Sequence, residues 1–225
     1  MVAHPIDMTN EGEATKTEKR FPMTYEDFLA WSDEKTHAEW INGEVIVFMP
    51  PKSRHQDIVG FIHSILSLYA RSFGSGVAKL APFEMKLENS SREPDILFIS
   101  KENQDRLTNE RLNGPADLVI EIISDSSVGR DRGEKFYEYQ EAGIREYWIV
   151  DPRPTFARSD FYHLTERGQY QAILPNDNGQ YHSAVLSDFW LRPAWFEADP
   201  LPNPLVCLAE IAPQILQDAL DQKSS

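Results

Sequence analysis

Asp95, Glu121 and Lys135 bring together the side chains that metal-assisted hydrolysis needs: two carboxylates and an ammonium. Asp95 follows Pro94 at the mouth of an apolar segment, Ile96-Leu97-Phe98-Ile99. Glu121 interrupts a second apolar run, Leu118-Val119-Ile120-Glu121-Ile122-Ile123. Lys135 closes the stretch Asp131-Arg132-Gly133-Glu134-Lys135, where a helical pattern begins. The acid inside the apolar run is the anomaly. Buried without a partner, a carboxylate costs several kcal/mol or shifts its pKa, so Glu121 calls for a cation nearby. Two acids converging beside one base can hold a divalent metal and a water nucleophile.

Two strands and a helix must place these three residues. Apolar, β-branched runs bounded by Pro, Gly and Asp read as strands buried on both faces, and the helical pattern runs over residues 130–142 to Gly143. Around them, Thr24 with Asp27 three residues on marks an N-cap and a short helix from Tyr25. Asn42-Gly43, two residues tolerant of positive φ, predicts a hairpin between residues 39–41 and 44–49. Ile58, Ile62, Ile65, Leu66, Tyr69 and Phe73 recur at helical spacing and predict a long amphipathic helix over Ser53–Phe73. Strands are expected at 77–80, 83–87 and 146–150, with a polar crossover over 101–115. Residues 161–164, 170–174 and 181–185 read as short strands of an antiparallel flap on the core sheet. Residues 201–220 read as partly helical, broken near Pro213. This order of elements predicts an α/β sandwich around a mixed sheet. Its expected parts are a disordered leader at 1–20, a main domain at 21–190 and a C-terminal extension at 191–225.

Composition bounds the partners. A chain of 225 residues can bury a genuine core. The formal net charge of −14 disfavours broad, non-specific binding to phosphates. Any nucleic-acid role therefore needs a locally basic or metal-loaded cleft. A single cysteine, Cys207, excludes an intrachain disulfide framework and a Cys-based zinc site. No apolar run approaches a membrane span, and the N-terminus lacks an apolar signal segment, so a cytoplasmic location is the default expectation.

Several motifs, taken in order, resemble the Uma family of restriction-endonuclease-like proteins. They are Ile41-Asn42-Gly43-Glu44, Pro94-Asp95, Glu121 in its apolar strand, Arg130-Asp131-Arg132-Gly133-Glu134-Lys135, and Gly143-Ile144-Arg145-Glu146-Tyr147-Trp148-Ile149-Val150-Asp151-Pro152. The similarity covers residues 23–188. It implies a PD-(D/E)XK nuclease-like core: an α/β fold with a mixed central sheet flanked by helices and an antiparallel C-terminal extension. It also implies a metal-dependent endonuclease acting on DNA. Asp95 and Glu121 match the family's acids and would hold Mg²⁺ or Mn²⁺. The usual nuclease motif places its Lys two residues after the second acid, where this chain has Ile123; the family's candidate Lys lies on the following helix, and Lys135 matches it. Glu39 and Glu44 both match family positions. Glu39 is the candidate further metal ligand and Glu44 the candidate further catalytic acid.

Each residue also has a more ordinary reading. Glu121 suits a structural ion pair with Arg132 or Lys135, and Lys135 suits a snorkelling surface side chain. Glu39 and Glu44, near a tight turn, suit surface acids. His55 and Gln56 open the long helix, where they either contact substrate phosphate or form a surface pair. Ser124 and Ser126 suit loop caps, and Asp125 and Asp131 a cap and an ion-pair partner. Tyr137, Tyr139, Tyr147 and Trp148 read as core rather than as a base-stacking platform. The rival functions are a catalytically inactive module of the same fold, binding nucleic acid or protein, and a hydrolase of small phosphoesters. The apolar C-terminal segment predicts a homodimer in which residues 201–220 take part.

Overall fold

The computed structural model describes residues 19–33, 36, 38–47 and 52–221. In chain order the elements begin with β1 (Lys19–Pro22), α1 (Tyr25–Trp31), β2 (Ala38–Ile41), β3 (Glu44–Val47), α2 (Ser53–Phe73), β4 (Gly76–Leu80), β5 (Glu84–Lys86), β6 (Ser90–Arg92) and β7 (Ile96–Ser100). There follow β8 (Arg111–Asn113), β9 (Leu118–Ile122), α3 (Lys135–Glu141), β10 (Glu146–Asp151), β11 (Arg158–Leu164), β12 (Tyr170–Ile173), β13 (Tyr181–His182) and β14 (Trp190–Leu191). The chain closes with α4 (Ala194–Glu197), α5 (Pro204–Ile211) and α6 (Gln214–Asp221).

The local signals act as their chemistry requires. Thr24 caps α1, its hydroxyl accepting from the Asp27 amide. Asn42 and Gly43 take φ of 48° and 88°, the left-handed pair that turns the β2–β3 hairpin. Gly74, also left-handed, ends α2.

The strands form a mixed central sheet in the order β12-β11-β10-β9-β7-β4. Within it only β9 and β10 run parallel; the other neighbours are antiparallel. A second sheet, β1-β3-β2-β6-β5-β8, is built of short strands, and β13 and β14 make a small ribbon. Alternation along the central strands divides their side chains between two cores. Phe98, Ile120, Trp148 and Val150 pack with Ile58, Ile62 and Leu66 of α2. Leu97, Ile99, Val119 and Ile149 pack on the other face with Tyr139 of α3 and with Met85 and Leu112 of the second sheet. Glu121 shares the parity of Val119, so it points toward α3 and the second sheet.

Several expectations change. Most of the leader lies outside the described residues, but its last two, Lys19 and Arg20, belong to β1 and pair with β3. Phe48 and Met49 of the hairpin, and the Pro50-Pro51 stop, also lie outside them. The crossover over 101–115 is a 3₁₀ segment, Lys101–Arg106, followed by β8, which pairs with β5. β6 and β8 are three residues each, too short to show a period in sequence. β11 and β12 are not a flap lying on the core sheet. They extend it, because β11 pairs along the full length of β10 and satisfies its outer backbone groups. Tyr137, expected in the core, is 64% exposed, since α3 turns that position away from the sheet.

The C-terminal helices break at Pro213 as expected. Cys207, Leu208, Ile211 and Ile215 join the same core as Ile58 and Ile62 of α2. That use leaves Leu205, Val206 and Leu220 as the large exposed apolar side chains of this segment, so the argument for a homodimer rests on those three. Among the described residues, no helix is long and apolar enough to cross a membrane.

Candidate active site

The pairing of β7 with β9 brings the two acids together. Ile96 faces Ile120 across antiparallel strands. One residue before this register begins, Asp95 comes beside Glu121 at the strand end. Asp95 is fixed through one oxygen: Oδ2 accepts from the Ile122 amide at 2.8 Å and lies 3.2 Å from His55 Nε2.

The helix that follows β9 supplies the cation. Its first turn, Arg130–Glu134, is a π turn in which the Lys135 amide bonds to the Arg130 carbonyl. Such wide turns recur at functional sites. From there Asp131, Lys135 and Tyr139 follow at four-residue steps and face β9 together. Lys135 Nζ lies 2.7 Å from Glu121 Oε1, 3.3 Å from Glu39 Oε1 and 3.5 Å from Asp131 Oδ1. The Tyr139 hydroxyl donates to the same Glu121 oxygen at 2.9 Å. Lys135 is therefore buried among acids and does not snorkel to the surface. Arg132 bonds Asp160 and lies 3.8 Å from Asp151, so Lys135 is the cation that meets Glu121.

β2 brings Glu39, and β6 brings Arg92. Arg92 Nη1 donates to Glu39 Oε2 at 3.0 Å, and its Nε donates to Glu138 at 2.8 Å. The Glu93 amide donates to Glu39 Oε1 at 3.2 Å. Both oxygens of Glu39 are thus engaged. Asp131 is 1% exposed and shares the Lys135 ammonium, 3.5 Å away, with Glu121 and Glu39.

Four carboxylates, Glu39, Asp95, Glu121 and Asp131, share Lys135, with Arg92 on Glu39 and Glu138, Arg130 near Asp131 and His55 on Asp95. Burial pushes the Glu121 carboxyl up, and Asp131, Asp95 and Glu39 add to this; Lys135 opposes it, and the result is about 8. Burial likewise raises Asp131 against the pull of Lys135 and Arg130. Burial would raise Glu39 too, but Lys135 and Arg92 outweigh it and hold that carboxyl below its usual range. The same acids hold Lys135 above its ordinary value in spite of its burial. A site of this kind retains a proton or takes a further cation. Among the described residues, however, no three acidic or imidazole groups converge as a ready coordination cage.

Of the residues singled out from sequence, Asp95, Glu121, Lys135, Glu39 and His55 meet here. Glu44 does not. It lies on the same face of the hairpin as Glu39 but two residues further along, about 7 Å, at the exposed turn. Gln56 does not join the buried cluster either, since one step of the helix turns it by about 100° from His55 into solvent. Ser124 and Ser126 bond each other at 3.3 Å, and it is Ser127 that caps the loop by accepting from the Ser124 amide. Asp125 pairs with Lys52 at 2.5 Å. Asp131 and Tyr139 join the site as well, and their four-residue spacing about Lys135 is the signal the sequence carries for them. Arg92 gave no signal.

A cleft of about 580 Å³ adjoins the site through His55, the partner of Asp95. His55, Ile123, Ser124, Arg153, Pro154 and Phe196 are among the residues that line it.

The comparisons agree with this architecture. The Uma2 family model, described as "Putative restriction endonuclease", matches residues 25–194. A protein of Synechocystis described as uncharacterised is 22% identical over 157 residues, covering 67% of this chain and 79% of its own. A solved structure from Anabaena variabilis, described as a "putative nuclease belonging to DUF820", matches with a TM-score of 0.65 at 18% identity. The match covers 78% of this chain and 98% of that one, and at such low identity it speaks to the fold.

Proposed function

Since the chain belongs to the Uma2 family of restriction-endonuclease-like proteins, we propose that it is a metal-dependent endonuclease hydrolysing DNA phosphodiester bonds. The observation that carries this reading is Asp131: a buried carboxylate whose Oδ1 lies 3.5 Å from Lys135, a cation it shares with Glu121 and Glu39, inside a cluster rich in negative charge. Where buried carboxylates outnumber the cations they share, ionising all of them is costly unless a further cation or a proton joins them. Asp95 and Glu121 are the residues that would hold Mg²⁺ or Mn²⁺, two hard oxygen donors of the kind these ions take together with waters, and Asp131 adds negative charge beside them. When bound, the ion supplies Lewis-acid polarisation of a phosphate oxygen and lowers the pKa of a coordinated water.

The chain's own groups do the rest. Lys135 orients the attacking water and offsets charge developing on the phosphate. Glu39 and Arg92 hold Lys135 in place: Glu39 contacts the ammonium and is itself fixed by the guanidinium. His55 and the Ile122 amide fix Asp95 through Oδ2.

The test is a panel of labelled DNA substrates with Mg²⁺ and Mn²⁺, run on rigorously purified protein. Wild type should cleave only with metal, and Glu121→Gln should lose both cleavage and metal binding. Lys135→Ala should bind metal as well or better, because a competing positive charge is gone, yet cleave on the order of 10²-fold more slowly. Unchanged cleavage in both variants would assign the activity elsewhere. A second reading, an inactive module of the same fold, is favoured by the net charge of −14 and by a cluster that Lys135 already partly neutralises. Metal binding without cleavage of any substrate would select it.

A further inference from the structure

The cleft beside the acids has the wrong chemistry for a duplex. Its lining cations are Lys52, Arg54 and Arg153, and its lining acids are Asp125, Glu197 and Asp199, so the formal charges cancel. The cations are also engaged. Lys52 pairs with Asp125 at 2.5 Å, Arg153 with Asp151 at 2.8 Å, and Arg54 donates to the Phe196 and Ala198 carbonyls at 2.8 and 2.7 Å. Duplex affinity comes largely from rows of Lys and Arg that displace counterions from two backbones, and this cleft presents no such row.

What it presents is an apolar, part-enclosed surface with a stacking pair beside it. Ile123, Pro152, Pro154, Ala157 and Phe196 contribute apolar lining. Phe156, in the same loop as the lining residues Pro154 and Ala157, is 59% exposed and carries the Arg153 guanidinium 4.8 Å above its ring. An exposed aromatic ring with a guanidinium over it is a sequence-tolerant platform for unpaired bases. A volume of about 580 Å³ lies within the range of pockets that enclose one small ligand. That suits one or two nucleotides and not a double helix. His55, which lines the cleft and contacts Asp95, sets its occupant beside the acids.

We infer that the substrate enters as single-stranded nucleic acid, with an unpaired nucleotide in this cleft and a base stacked on Phe156 and Arg153. The choice of nucleic acid as ligand rests on the nuclease reading above. The experiment is fluorescence anisotropy in EDTA, where no metal-dependent cleavage occurs. The probes are a labelled dT oligonucleotide of about 10 residues, a uridine oligonucleotide of the same length, and a hairpin duplex. Wild type should bind a single strand at least ~10-fold more tightly than the duplex. Phe156→Ala should weaken that binding by on the order of 10-fold, with the melting temperature unchanged because the ring is largely exposed. The uridine arm shows whether the strand is RNA or DNA, and preference for either over the duplex upholds the inference. Duplex binding as tight as single-strand binding, no binding by any probe, or an unaltered Phe156→Ala variant overturns it. Because the assay contains no metal, a failure of the metal-site reading leaves this result standing, and a failure here leaves the metal site untouched.

Discussion

Glu121 within β9 and Glu146 at the start of β10 are both buried, and the contrast between them is informative. Glu146 is fully buried, yet its oxygens accept from Tyr181 at 2.5 Å, Trp148 at 2.6 Å, Ser183 at 2.8 Å and the Ala184 and Val185 amides at 2.9 Å. Neutral donors satisfy it completely, and it fastens the 183–185 segment to the sheet. Glu121 instead meets a cation within an acid cluster, and its carboxyl is raised from 4.5 to about 8. The sign of the consequence follows from linkage. Between those two values the native state retains a proton that the unfolded chain has released, so this group's contribution to stability falls as pH rises through the window. Lys135, raised above 10.5, contributes fully below that value and does not alter the slope there. Glu121→Gln should therefore flatten the fall in stability across this window, measured by urea denaturation at a series of pH values. An equally steep fall in the variant would assign the pH dependence to other groups.

At the scale of elements, the site depends on how α3 is begun and ended. The π turn at Arg130–Glu134 sets the phase that carries Asp131, Lys135 and Tyr139 toward β9. Gly143 ends the helix at a φ of 81°, where a Cβ would meet no neighbouring atom. The cost of a side chain there is thus conformational, about 1–2 kcal/mol for an L-residue held left-handed. Gly143→Ala should lose about that much in a denaturant titration with an unchanged m-value. A neutral substitution would show that the turn into β10 relaxes without cost. The β2–β3 hairpin performs the corresponding task for Glu39, and its Asn42-Gly43 turn settles which hairpin acid enters the cluster and which stays in solvent.

For the whole molecule, the charge of −14 and the buried acid cluster act in one direction. Each favours a state that has gained positive charge. A divalent ion that binds the folded chain at about 100 times its Kd adds about 2.7 kcal/mol of stability. Mg²⁺ or Mn²⁺ should then raise the melting temperature, EDTA should reverse the rise, and Asp131→Asn should diminish it. A melting temperature indifferent to metal in wild type would remove the metal function from the site and leave the fold as described. The C-terminal helices are part of the same body, for Cys207, Leu208, Ile211 and Ile215 share the α2 core.

Much of this protein is written locally in its sequence. The Thr24 cap, the Asn42-Gly43 turn, the apolar spacing of Ser53–Phe73 and the apolar runs of β7, β9 and β10 each report contacts made within a few residues, and each forms the element its pattern predicts. That Glu121 requires a cation also follows from residue type alone, because burial of a bare carboxylate is costly in any fold. The three-dimensional arrangement settled what depends on residues far apart in the chain. Strand order and register placed Asp95 beside Glu121, brought Glu39 in and left Glu44 at the turn. The phase of one wide helical turn drew Asp131 and Tyr139 into the cluster. Gln56 was turned away by its position on α2, and the cleft arose where the end of β9 meets the loop after β10. Periodicity records which face of an element is apolar. Which polar groups on different elements finally meet depends on how those faces stack, and that is decided by packing the whole chain at once.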